Sequence, residues 1–110
     1  MAIYVKCNNP QALLDKIKRS VDNGNVESWK YDDDGDFFHT PNGWPHSGWL
    51  RPYVENGDLI FGIVGPKDDT MTTRRYAAFH SYFLETLLNL FDGDFDWAYV
   101  SSQKRKYDLF

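Results

Sequence analysis

The segment Glu55-Asn56-Gly57-Asp58 constrains the fold of this chain more than any other, because it joins two apolar runs, Trp49 to Val54 and Leu59 to Val64. A two-residue hairpin turn needs positive φ at its central residues, and Asn-Gly meets that need at least cost. The pattern predicts an antiparallel hairpin, so the fold must be built around a sheet that contains it. Gly65-Pro66 ends its second strand.

The rest of the chain extends that sheet and covers it. Ile3, Val5 and Cys7 alternate with Tyr4 and Lys6, which predicts a half-buried strand over Ala2 to Cys7. Asn9-Pro10 reads as a helix cap followed by proline in the first turn. Leu13, Leu14, Ile17 and Val21 then recur at helical spacing up to a stop at Asn23-Gly24. Val26 to Tyr31 and Phe37 to Thr40 read as strands about a turn at Asp33-Asp34-Gly35-Asp36. Pro41 to Gly48 is an irregular loop. Asp68-Asp69-Thr70 or Thr72 caps a long helix whose stripe is Tyr76, Phe79, Phe83, Leu87 and Leu90, closed by Gly93. Phe95 to Ser101 is a last strand.

The order is β-α-β-β-β-β-α-β. It predicts a two-layer α+β sandwich: a mainly antiparallel sheet of five to six strands with both helices on one face. Its 110 residues make one domain over residues 1–102, followed by a tail over residues 103–110.

Composition narrows function by exclusion. The net charge of −4 argues against direct nucleic-acid binding, which rests on a basic footprint. Arg74-Arg75 and Lys104-Arg105-Lys106 are too short to reverse that balance. Cys7 is the sole cysteine, so no internal disulfide forms. Met1 to Lys6 lacks the plan of a signal peptide, and no apolar run approaches a membrane span. A cytoplasmic protein without membrane contact is expected.

The candidate site is Trp29 to Trp49, which holds three of the four tryptophans, two of the three histidines and a run of aspartates. Aromatics with a polar tip serve surfaces that must be both buried and specific. Arg51 stands two residues from Trp49, where a guanidinium captures carboxylate or phosphate or stacks on a ring.

Defined chemistry is scarce. Aligning Gly35 with the glycine of an EF-hand puts Lys30 and Pro41 where carboxylates are required, so no calcium loop is present. The histidines and Cys7 have no metal-site spacing, and neither metal nor cofactor is expected. Cys7 alternates with core residues and reads as an inert thiol. His80, between Phe79 and Phe83, reads as a packed histidine. Phosphate-binding, dinucleotide and serine-hydrolase motifs are absent.

The string Trp29-Lys-Tyr31-Asp-Asp-Asp-Gly35-Asp36-Phe37, with His39-Thr40-Pro41, Trp49-Leu50-Arg51-Pro52, Phe79-His80 and Leu87-Leu88-Asn-Leu-Phe91-Asp92, resembles a group of small bacterial proteins of unknown function. The resemblance implies a bacterial or phage cytoplasmic setting and attaches no activity, cofactor or partner.

The leading expectation is therefore a small, acidic, non-enzymatic interaction protein of the inhibitor, immunity or antitoxin kind. It would bind another, basic protein through Trp29, Tyr31, Asp33, Asp34, Asp36, Trp44, Trp49 and Arg51. The alternative is a small hydrolase of a phosphate or carboxylate ester. There His39 and His80 exchange protons, Asp36 orients an imidazole and Arg51 holds the anion. A second alternative is a small-ligand module with aromatic walls.

Overall fold

The structure, a computed structural model, describes residues 1–110. Its elements follow the expected order: β1 (Ile3–Lys6), α1 (Pro10–Asp22), β2 (Trp29–Tyr31), β3 (Phe37–His39), β4 (Trp49–Glu55), β5 (Asp58–Val64), α2 (Thr73–Phe91) and β6 (Trp97–Val100). A single 3-10 turn over Asp92–Asp94 follows α2. All six strands form one antiparallel sheet in the order β2-β3-β4-β5-β1-β6. No helix is long and apolar enough to cross a membrane.

The local chemistry works largely as the residues dictate. Asn56 and Gly57 take φ of 50° and 81° and close the β4–β5 hairpin with Glu55 opposite Asp58. Asn9 caps α1 by accepting from Ala12 N, with Pro10 in the first turn. Thr72, rather than Thr70, caps α2 by accepting from Arg75 N.

β2 is shorter than the Val26 to Tyr31 run. Ser28 has a φ of 70°, and this left-handed residue ends regular pairing at Trp29. Its carbonyl turns instead toward β3 and accepts from Thr40 N.

The core lies between one sheet face and the helices. α1 contributes Leu13, Leu14 and Ile17, and α2 contributes Phe79, Phe83, Leu87 and Phe91. The sheet answers with Ile3, Val5, Phe37, Leu50, Leu59, Phe61 and Ile63. Phe83 is the hub: its ring centroid lies 4.7 Å from Phe61, 5.0 Å from Trp29 and 5.8 Å from Phe37. Such tilted and edge-on pairs add about 0.5–1.5 kcal/mol each beyond area burial.

The opposite face is also aromatic. Tyr53, Ile60, Tyr4 and Tyr99 form one cross-strand row, with Tyr4 stacked on Tyr99 at 5.0 Å. The tail returns across this face. Tyr107 packs 5.1 Å from Tyr53, and its carbonyl crosses Gly62 so closely that a Cβ there would lie 2.0 Å away. Ile63 N donates to the buried Asp108 carboxylate, and Leu109 N donates to Ile63 O. The tail thus continues the sheet beside β5 where β1 has ended.

Candidate functional site

The strands divide the Trp29–Trp49 segment between two faces. Successive residues of a strand point to opposite sides, so Phe37 and His39 face the helices while Asp36 faces away from them. Trp29 is 2% exposed and belongs to the core, which removes it from any docking surface. Trp44 is half-buried on the helix side, 5.3 Å from both Phe79 and His39. Trp49 and Arg51 flank Leu50 and lie on the other face, so Trp44, Trp49 and Arg51 form no single pocket. The Tyr31 hydroxyl donates to Asp22 at 2.6 Å. Asp33 and Asp34 are exposed at the hairpin tip.

Arg51 and Asp36 form a bidentate ion pair with N–O distances of 2.9 and 2.8 Å. The Asp36 carboxylate raises the Arg51 pKa further above its already high ordinary value. Both Asp36 oxygens are thereby engaged. Asp32, Asp34 and Asp36 bring carboxylate oxygens within 4.8 Å of one another. Asp32 Oδ1 already accepts from the backbone N of Asp34 and Asp36. Turn closure and the Arg51 pair account for this cluster.

The hydrolase constellation does not assemble. Asp36 and Arg51 are paired on one face of the sheet, whereas His39 and His80 lie on the other. His80 is 3% exposed, and its Nε2 donates to the Met1 carbonyl. Its Nδ1 is buried without a partner, and burial pushes its pKa down to about 4. His80 is the packed histidine its neighbours predict. Cys7 is likewise buried, and desolvation raises its thiol pKa.

His39 has a different environment. Tyr82 stacks on its ring at 5.0 Å, with Trp29 at 4.7 Å and Trp44 edge-on at 5.3 Å. Its Nδ1 donates to the Ser28 carbonyl at 2.8 Å. Burial lowers its pKa, outweighing that bond, so the ring is neutral at pH 7. With the proton on Nδ1, Nε2 carries the lone pair. Nε2 has no partner within the protein, yet it is not among the sealed buried atoms. His39 lines a cleft of about 390 Å³ between β2 and α2.

Glu27 and Ser28 form one side of that cleft; Tyr82, Glu85, Thr86 and Asn89 form the other. The latter four stand at i, i+3, i+4 and i+7, one stripe of α2. This spacing was legible in the sequence, but the aromatic core stripe beside it dominates the hydrophobic pattern. Trp97 and Tyr99 on β6 also lie outside the segment singled out by composition, although they are 58% and 51% exposed. No family model, curated protein or solved structure matches the chain.

Proposed function

We propose that the chain is a small non-enzymatic interaction protein whose partner adds a strand to the outer edge of β6. The observation that carries this reading is the character of that edge. β6 is the last strand of the sheet, and Trp-Ala-Tyr-Val contains none of the lysines or prolines that usually protect such an edge. Trp97, Tyr99 and Val100 are 58%, 51% and 39% exposed. An extended peptide would pair with the free backbone groups, while the rings supply binding energy.

Asp92 and Asp96 lead into β6 on either side of Asp94, which is paired with Lys16, and the chain carries a net charge of −4. A basic segment complements this surface, whereas a second copy of the chain meets like charge. Within this proposal the protein acts in the cytoplasm, where its lone thiol at Cys7 stays reduced.

The test is capture from source-cell lysate with the intact chain, with a Trp97→Ser/Tyr99→Ser variant and with Trp44→Ala. A stoichiometric basic partner, lost with the double variant and protecting β6 amides from hydrogen exchange, is the expected result. Undiminished capture by the double variant refutes the assignment to β6. Loss with Trp44→Ala alone moves the surface to the helix side.

A further inference from the structure

We infer that the cleft between β2 and α2 is a binding site for a guanidinium-type organic cation, hydrogen-bonded to Nε2 of His39. The site lies at the sheet edge opposite β6, so it stands independently of the strand-addition proposal.

The geometry begins at Ser28. Its positive φ of 70° is unusual for serine, and its carbonyl accepts the Nδ1 proton of His39. That bond fixes the tautomer and leaves Nε2 as an acceptor. The imidazole is 6% exposed, held among Trp29, Trp44 and Tyr82, and Nε2 lacks a partner in the protein. Because the residue is buried while Nε2 is not sealed from the cleft, this acceptor can take a donor from a ligand in place of water.

The walls select the charge of that donor. Glu27 and Glu85 line the cleft, and no lysine or arginine does. Anions are therefore repelled. A single metal ion fits poorly, because Glu27, His39 and Glu85 do not bring ligand atoms within 4.8 Å of one another. A guanidinium is wide enough to bridge dispersed acceptors, with five N–H donors in one plane and an affinity for aromatic faces. Tyr82, stacked on His39 and 44% exposed, offers such a face. The volume of about 390 Å³ lies within the range of small-ligand sites.

The same chemistry has two sources: a free guanidinium compound or an arginine side chain of another protein. Long-range 1H–15N spectroscopy of the full chain reads the His39 Nε2 resonance directly during titration. The probes are methylguanidinium, its neutral analogue methylurea, a short extended peptide with one arginine, and Zn²⁺. A saturable His39 shift with methylguanidinium at a Kd of about 1 mM, absent with methylurea, is expected. Glu27→Gln and Glu85→Gln remove exposed carboxylates, and each should weaken binding about fivefold. Binding of the peptide about tenfold tighter than methylguanidinium assigns the source to a protein side chain; equal affinity assigns it to a free compound. No His39 shift with either cation, an equal response to methylurea, or a response to Zn²⁺ alone overturns the inference. The wild-type titration decides the matter even where a variant fails to fold.

Discussion

Acid should weaken this protein through His80 by an amount that a single substitution isolates. His80 is buried and neutral, with its pKa displaced from 6.5 to about 4, chiefly by desolvation. The Met1 ammonium opposes the charged form as well, while the Met1 carbonyl and the Asp108 carboxylate favour it. Between pH 6.5 and about 4 the unfolded chain therefore binds more protons at this site than the native one, so stability rises with pH across the window. The contribution is intact above the unfolded value and lost as pH falls toward 4. Converted at 1.36 kcal/mol per pH unit, the displacement corresponds to about 3 kcal/mol. His80→Gln keeps an N–H donor for the Met1 carbonyl but has no titrating ring. Urea unfolding of both proteins at pH 7 and pH 4 gives the comparison. Wild type should lose about 3 kcal/mol more than His80→Gln over that interval, since His39 and the carboxylates titrate in both. Parallel losses refute the reasoning, because they mean that the buried ring carries no such penalty.

Two further outcomes test the packing. Gly62→Ala places a methyl 2.0 Å from the Tyr107 carbonyl and should cost about 2–3 kcal/mol, measured as a fall in Tm of about 10 °C or more. Ending the chain at residue 102 should abolish that increment, which a double-mutant cycle reads directly. Arg51→Ala strands the buried Asp36 carboxylate and should cost about 3 kcal/mol, whereas Asp36→Asn leaves the half-exposed Arg51 in water and should cost about 1 kcal/mol. Equal losses in urea unfolding contradict this assignment of the buried partner.

Much of the fold is legible from local chemistry. Asn56-Gly57 defines the central hairpin, Asn9-Pro10 opens α1, and the Phe79, Phe83 and Leu87 spacing marks the buried face of α2. Each signal depends on residues a few positions apart. The site is less legible because its parts come from distant elements. The cleft needs Ser28 from the entry to β2, His39 from β3 and Tyr82 from α2. Ser28 illustrates the difficulty: nothing local requires a serine to adopt a φ of 70°, and its carbonyl is held by Thr40 and His39 across the hairpin.

The sequence alone determined the antiparallel α+β order, the places where helices start and chains turn, and the acidic balance. Those properties follow from backbone sterics, capping bonds and side-chain period within single elements. Only the tertiary structure decided the division of the aromatic excess. Trp29 and Phe83 fill the core, Tyr4 and Tyr107 cover the opposite face, and Trp97 stands exposed at the edge. It likewise separated His39 from Asp36 and Arg51, which the chain order places close together. Burial and charge pairing depend on which strand lies beside which and on the side each residue faces, and no run of neighbours in the chain encodes that arrangement.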